Sequence, residues 1–202
     1  MEWKIIDAKQ ETDHRFLNFY VLRYEVDEDG VKKEYPYFIA SRRQKEDLAV
    51  FGNADKGDAV IVLVVDDCRD DWRILLIDIF RPALNRRVIE FPAGLLGKED
   101  EGSLIKAAIR ETIEETGIHI KDPIVICPPS PTSTGLSDET NGVVLARIDE
   151  SGARALEEFE DISYRFVNFS DIPGLLEDEN VYMALSTRLC LLYLSEKRKN
   201  AK

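Results

Sequence analysis

Apolar residues recur along the chain with two different periods, which separate predicted strands from predicted helices. A run rich in aromatic and β-branched residues covers positions 16–26, and a second extended run covers positions 31–39. An Asp-Glu-Asp-Gly sequence, typical of a turn, lies between them. The pattern predicts an antiparallel hairpin or meander over residues 15–42. Pro36 cannot donate a hydrogen bond to a sheet, so we expect it at an edge or a bulge.

The middle of the chain predicts a more deeply buried sheet. Residues 59–65 are continuously apolar, as expected for a strand that is covered on both faces. Shorter extended runs predict further strands at 74–80, 88–91, 124–127, 142–148 and 164–167.

Two segments have the spacing of amphipathic helices. The first covers residues 103–116, with Ser103 as a candidate N-cap and Gly117 as a candidate C-terminal stop. The second covers residues 181–194 and ends before a charged tail. The apolar stripes predicted for them are Ile105, Ile109 and Ile113 in the first helix, and Val181, Leu185, Leu189 and Leu192 in the second. Strands interleaved with helices predict an α/β fold with a mixed sheet covered by helices.

Charge and cysteine content narrow the class of protein. A formal net charge of −12 argues against nucleic acid or an anionic membrane surface as a partner, because both attract positive surfaces. The chain has no apolar run of 18 residues and no signal-peptide pattern at its start. Its three cysteines are widely spaced, which is typical of reduced thiols in a cytoplasmic protein rather than of disulfides or a zinc site.

The first predicted helix carries an unusual group of carboxylates. Glu111 and Glu115 are i, i+4 neighbours, and Glu114 flanks them on the same side. Clustered carboxylate oxygens suit hard divalent cations such as Mg²⁺ or Mn²⁺. A solvated acidic helix face is the alternative, in which Arg110 does no more than pair with Glu114.

These residues resemble the signature of the Nudix hydrolase family. Gly94 and the sequence Arg110-Glu111-x-x-Glu114-Glu115-x-Gly117 match the family box. The sequence departs from the box in two places. Thr112 replaces a bulky aliphatic residue. Gly94 lies two residues too far from Arg110, so that Gly102 occupies the position of the first glutamate of the box. A two-residue insertion explains the spacing, with Glu99 or Glu101 as the substitute.

Three further segments are similar to the ADP-ribose pyrophosphatase branch of that family. They are Ile79-Phe80-Arg81-Pro82; the sequence Glu90-Phe91-Pro92-Ala93-Gly94; and the loop from Ser130-Pro131 to Glu139. The acidic sequence Glu158-x-Glu160-Asp161-Ile162 is similar to the segment that supplies the catalytic base in that branch.

The resemblance implies a fold and an assembly. The expected fold is a Nudix-type α/β/α sandwich with a mixed sheet, preceded by an antiparallel β-hairpin extension. Residues 1–55 would form the extension, through which that branch dimerises, and residues 56–202 the hydrolase domain. A homodimer is therefore expected.

The resemblance also assigns roles to individual residues. Mg²⁺, with Mn²⁺ as a substitute, would be held by the Ala93 carbonyl, Glu111 and Glu115. Substrate binding falls to Arg81, Glu90 and Glu139. Catalytic roles fall to Arg110, Glu114 and Glu158, with Glu160 as the second choice for the general base.

The reaction implied is hydrolysis of a nucleoside diphosphate linked to another group. ADP-ribose, cleaved to AMP and ribose 5-phosphate, or a related nucleotide sugar is the leading substrate. Another dinucleotide, such as FAD, NADH or a dinucleoside polyphosphate, is the alternative. A non-catalytic ligand sensor is less favoured, because all three helix carboxylates are present.

Overall fold

The chain divides into two compact units. One comprises Met1–Asp58 with Pro129–Asn141, and the other Ala59–Pro128 with Gly142–Lys202. The structure is a computed structural model that describes residues 1–53, 55, 57–68, 70–153, 155–156 and 161–200, the last four through their backbone. The division of function into a dimerising extension, residues 1–55, and a hydrolase domain, residues 56–202, stays a prediction.

The first unit is built on a three-stranded antiparallel sheet. Its strands are β1 (Glu2–Gln10), β2 (Asn18–Glu28) and β3 (Val31–Ser41), in the order β1-β2-β3. The predicted hairpin is therefore present, and β1 is a strand that the pattern did not identify. Pro36 lies on β3, opposite Arg23 of β2. Since β3 is an edge strand of this sheet, Pro36 is at an edge, as predicted.

A buried ion pair holds the later segment of the first unit in place. Arg43 donates two hydrogen bonds to Asp58, at 3.0 and 2.7 Å. Asp58 also accepts hydrogen bonds from the Thr140 amide, at 2.8 Å, and from its hydroxyl. Burial alone would lower the pKa of Arg43, but Asp58 raises it above its ordinary value, so the guanidinium stays charged.

The second unit contains a seven-stranded mixed sheet. Five strands lie in the order β10-β5-β4-β9-β8, while β6 pairs with β5 and β7 pairs with β4. Their bounds are β4 (Ala59–Asp66), β5 (Arg73–Arg81), β6 (Arg86–Glu90), β7 (Ala93–Leu95), β8 (Ile118–Pro131), β9 (Thr140–Ser151) and β10 (Ile162–Asn168).

Helices cover both faces of this sheet. Every residue of β4 is buried, as the continuous apolar run at residues 59–65 predicted. Val60, Val62 and Val64 share a core with helix α1 (Leu104–Thr116). The alternate residues of β4 share a second core with α2 (Ile172–Glu177) and α3 (Leu185–Asn200). The α/β/α sandwich is thus confirmed.

Helix α1 presents a different face to the sheet from the one predicted. The stripe of Ile105, Ile109 and Ile113 lies on the flank of the helix, and Ile109 is 37% exposed. Ala107 and Ala108 are fully buried against the sheet instead. Small side chains allow close approach to β4, and this rotation places Glu115 on the buried side of the helix.

Helix α3 also differs from its prediction. It begins at Leu185 rather than 181, because the preceding residues pair with β6: Ile89 donates to the Tyr182 carbonyl at 2.8 Å, and Ala184 donates to the Ile89 carbonyl at 3.1 Å. Its core contacts come from Leu191 and Leu194. The predicted apolar stripe faces outward, with Leu185, Leu189 and Leu192 all exposed.

Two sequence-based expectations concern the molecule's environment. None of the helices described is long and apolar enough to span a bilayer. Cys68, Cys127 and Cys190 are all free thiols, which agrees with the expectation that no disulfide framework would form.

Candidate active site

The carboxylate helix begins and ends where its caps predicted. The Ser103 hydroxyl accepts a hydrogen bond from the Lys106 amide, and Gly117 takes the left-handed conformation at φ 71°. The replacement of an aliphatic residue by Thr112 is accommodated because its buried hydroxyl donates to the Ala108 carbonyl at 2.7 Å. The helix is therefore regular through its carboxylate turn.

Two of the three helix carboxylates lie against the segment that enters the predicted box. The Glu115 side chain, in a residue only 3% exposed, accepts a hydrogen bond from the Ala93 amide at 3.2 Å. Glu111 lies directly over Gly94, where a β-carbon would come within 1.9 Å of the carboxylate carbon. Glycine at position 94 is thus needed for Glu111 to occupy this place.

Arg110 organises the remaining acidic groups. One guanidinium nitrogen, Nη1, donates to Glu111 at 2.7 Å and to Glu114 at 2.9 Å. Nη2 donates to the Leu95 carbonyl at 2.9 Å, which ties helix α1 to the end of strand β7. The pKa of Arg110 is raised above its ordinary value, chiefly by its hydrogen bonds to Asp100, so its charge is permanent.

Asp100 is a buried partner of Arg110 that the sequence did not reveal. It is 2% exposed and accepts hydrogen bonds from Arg110 at 3.2 and 2.7 Å and from the Gly97 amide at 2.7 Å. Burial alone would raise the pKa of this carboxyl, but Arg110 and the Gly97 amide bring it below its ordinary value.

The two glutamates proposed for this part of the loop are arranged differently. Glu99 approaches Arg110 only to 3.5 Å and is 64% exposed, while Glu101 pairs with Lys106. Three consecutive acidic residues in an irregular turn give no sequence signal for which one points inward. The closest loop carboxylate to Arg110 is thus the middle one, Asp100.

The site carries a strong excess of negative charge. Arg110 is in ion-pair contact with Asp100, Glu111, Glu114 and Glu99, and Glu115 lies on the same helix. Five carboxylates and one guanidinium give a formal charge of −4. Such an excess favours occupation by a cation.

The donor atoms fit a hard divalent cation. Glu111 and Glu115 provide carboxylate oxygens next to the Ala93–Gly94 backbone, and oxygen is the ligand type that Mg²⁺ and Mn²⁺ prefer. Within the described ranges, no three His, Cys, Asp or Glu side chains form a ready-made metal site. A cation here would accordingly need backbone oxygen, substrate or water as additional ligands.

Two of the predicted substrate-binding residues contact each other. Arg81 donates to both carboxylate oxygens of Glu90, at 2.9 and 2.6 Å, in a two-point contact. Glu90 precedes Ala93 by three residues, so the pair is tied to the entry of the carboxylate loop. The Arg81 side chain is 41% exposed and remains accessible to a ligand.

The third predicted substrate-binding residue belongs to the first unit. The Glu139 carboxylate forms an ion pair with Arg42 at 3.3 Å, and the Glu139 amide donates to the Ser137 hydroxyl at 2.9 Å. Arg42 has no recognisable sequence signal for this contact, because it lies 97 residues from Glu139 along the chain.

Both candidates for the general base, Glu158 and Glu160, lie outside the described residues. The chain on either side of them is placed by backbone hydrogen bonds. Ala155 donates to the Glu114 carbonyl at 2.9 Å, at the end of the carboxylate helix. Phe80 donates to the Asp161 carbonyl at 3.1 Å.

Comparison with known proteins identifies the family. The model of the NUDIX domain matches residues 55–187. The chain belongs to the Nudix family. It is a pyrophosphohydrolase of that family, and Nudix hydrolases generally need a divalent metal ion.

Relatives and a solved structure resemble this Nudix chain over most of its length. An ADP-ribose pyrophosphatase of Bacillus subtilis is 36% identical over 143 residues, which cover 69% of this chain and 72% of that protein. An ADP-ribose pyrophosphatase of Saccharomyces cerevisiae is 31% identical over 140 residues, 66% of this chain and 56% of the yeast protein. A crystal structure of an ADP compounds hydrolase shares the fold, with a TM-score of 0.70 and 18% identity over 100% of this chain and 96% of that one.

We expect Asp100→Asn to weaken the fold by roughly 1–3 kcal/mol at neutral pH, because a charged hydrogen-bond acceptor of Arg110 is lost. The native pKa of Asp100 is lowered, so its stabilisation is present above about pH 4, the ordinary carboxyl range, and is lost as the pH falls through the native value. Urea unfolding from pH 7 to pH 2 measures the difference.

Glu99→Gln is the matched control for that experiment, since Glu99 is exposed and more distant from Arg110. It should change stability by less than about 1 kcal/mol. Equal effects of the two substitutions, or a difference from wild type that grows as the pH falls, would contradict the role given to Asp100.

Gly94→Ala should displace the Glu111 carboxylate, because the added β-carbon would overlap it. The expected result is Mn²⁺ affinity weakened by at least about tenfold, with a native circular dichroism spectrum. Calorimetric titration with Mn²⁺ measures this. Gly174→Ala is the control, since a β-carbon there has no atom within 4 Å. Unchanged Mn²⁺ affinity in Gly94→Ala would remove Glu111 from the proposed metal site.

Proposed function

We propose that this Nudix enzyme hydrolyses ADP-ribose, or a closely related nucleotide sugar, to AMP and the sugar phosphate in a Mg²⁺-dependent reaction. The observation that carries the proposal is the placement of Glu111 and Glu115 against the Ala93–Gly94 backbone. The substrate is suggested by the two relatives, both of which are ADP-ribose pyrophosphatases.

Glu111, Glu115 and the Ala93 carbonyl would hold the cation. When bound, Mg²⁺ supplies positive charge to the diphosphate and makes nearby water more acidic. This compensates for the protein's own charge of −12, which would otherwise repel the substrate. Arg110, fixed by Asp100, keeps Glu111 and Glu114 in place while the substrate binds.

Glu158 would act as the general base, with Glu160 as the alternative. It would take the proton from the water that attacks phosphorus, while the bond from phosphorus to the bridging oxygen breaks. Ala155, three residues before Glu158 in the sequence, supports this role because its amide donates to the Glu114 carbonyl.

Arg81, Glu90 and Glu139 would bind the substrate. Arg81 is oriented by two hydrogen bonds to Glu90 and can present its guanidinium to phosphate or ribose oxygens. Glu139 is held by Arg42 within the first unit.

The active form would be a cytoplasmic homodimer. The first unit exposes aromatic surface suited to association: Phe19 and Phe38 stack at 6.0 Å and are 41% and 54% exposed. The free thiols of the chain agree with a reducing compartment. Sedimentation equilibrium tests the assembly, and a monomer at all concentrations would contradict it.

The substrate is tested with a panel that contains ADP-ribose, FAD, NADH and a dinucleoside polyphosphate. Each is incubated with Mg²⁺ or Mn²⁺, and products are measured as phosphate released by a coupled phosphatase. ADP-ribose should have the highest kcat/KM and yield AMP. A higher value for FAD, NADH or the polyphosphate would transfer the assignment to that substrate, and hydrolysis of none would contradict the proposal.

Two substitutions separate the metal site from the base. Glu115→Gln should weaken Mn²⁺ binding by at least about tenfold and remove most activity. Glu158→Gln should lower kcat by roughly 10²–10⁴-fold while Mn²⁺ affinity stays within about twofold of wild type. Steady-state kinetics with calorimetric Mn²⁺ titration measures both effects.

The exposed Glu177 of α2 gives the matched Glu→Gln control, which should behave as wild type. Normal turnover by Glu115→Gln would contradict the metal assignment. A wild-type rate for Glu158→Gln would exclude Glu158 as the base and make Glu160 the next candidate.

A further inference from the structure

A cavity lies on the opposite face of the sheet from the carboxylate helix. Its volume is about 360 Å³, and Asp78 on β5 and Ile89 on β6 contribute to its wall. These two residues are register partners, so their side chains share a face of the sheet. Ile89 packs in the core that α2 and α3 cover, whereas α1 packs on the other face. The cavity is therefore separate from Glu111 and Glu115.

The walls of this cavity are rich in arginine. Arg86, Arg87 and Arg165 line it together with a single carboxylate, Asp78. Three positive charges and one negative charge give the lining a formal charge of +2. In a protein of net charge −12, a local positive excess in a concave site needs an explanation.

Arg87 is a fixed part of the wall. It donates to the Asp78 carboxylate at 2.5 Å, to the Asp78 carbonyl at 2.7 Å and to the Asp161 carboxylate at 2.9 Å. These contacts raise the pKa of Arg87 above its ordinary value, chiefly through Asp161 and Asp78. Its charge is thus largely balanced, and its side chain shapes the site.

Arg86 and Arg165 supply the unbalanced charge. The Arg86 guanidinium lies 3.9 Å from the centre of the Tyr182 ring. The backbone of Tyr182 is bound to β6, since the Tyr182 carbonyl accepts a hydrogen bond from the Ile89 amide at 2.8 Å. Arg165 lies on β10, opposite Leu76 of β5. Among the carboxylates in the described part of the chain, none forms an ion pair with Arg86 or Arg165.

We propose that this cavity binds a phosphate group of a small anionic molecule, with Arg86 and Arg165 as the charged ligands. The planar fork of a guanidinium matches the oxygens of a phosphate and forms strong charge-assisted hydrogen bonds. Stacking on Tyr182 preorganises Arg86 without neutralising it, which lowers the cost of binding. The cavity volume leaves room for a substituent on the phosphate.

Calorimetric titration of the full chain with inorganic phosphate tests the proposal. The buffer contains EDTA, so that metal-dependent binding at the carboxylate helix is suppressed. Wild type should bind phosphate saturably, and Arg86→Gln and Arg165→Gln should each weaken binding by at least about tenfold, the usual effect of losing one charged hydrogen-bond partner. A parallel titration with AMP should show the same dependence on both arginines.

Two controls separate this site from the proposed active site. Arg15→Gln removes another arginine that lies over an aromatic ring, 4.7 Å from the centre of Phe16, and should bind phosphate as wild type. Glu111→Gln should also bind normally, because the cavity does not depend on the proposed metal site. Wild-type affinity in both Arg86→Gln and Arg165→Gln, or equal losses in Arg15→Gln, would overturn the proposal.

Discussion

The contacts of Arg110 are the constraint on which the site depends. Carboxylates brought this close on one helix and its loop would repel one another strongly without a cation between them. Arg110 contacts Glu111, Glu114 and the buried Asp100 with one guanidinium, and its hydrogen bond to the Leu95 carbonyl ties strand β7 to the helix. The negative charge that remains favours the proposed metal ion, so the contacts of Arg110 matter both for the fold and for the proposed chemistry.

Close packing gives this electrostatic arrangement its geometry. Ala107 and Ala108 let α1 approach β4, and Gly94 leaves space for the Glu111 carboxylate. The same rotation of the helix brings Glu115 to the Ala93 amide. Small residues at these positions therefore decide where the large acidic ones lie. The opposite face of the sheet carries the reverse charge pattern, with arginines around a separate cavity.

Local signals predicted much of the fold and part of the site. Helix α1 was predicted almost to the residue, because Ser103 and Gly117 are caps whose effect is local. The rotation of α1 about its axis was not predicted, since burial of Ala107 in place of Ile109 depends on the distance between the helix and the sheet. Asp100 was missed because the direction of a side chain in an irregular turn depends on Arg110, ten residues later. The pairing of Arg42 with Glu139 depends on the tertiary fold and has no local signature.

The proposed chemistry depends on a cation site that Glu111 and Glu115 form against the Ala93–Gly94 backbone. Anomalous diffraction from crystals soaked in Mn²⁺ tests this most directly, because it locates the ion without reference to activity. We expect an anomalous peak about 2 Å from oxygens of Glu111, Glu115 and the Ala93 carbonyl, the usual distance for such ligands. A peak elsewhere, with none at these residues in crystals that hydrolyse substrate, would contradict it.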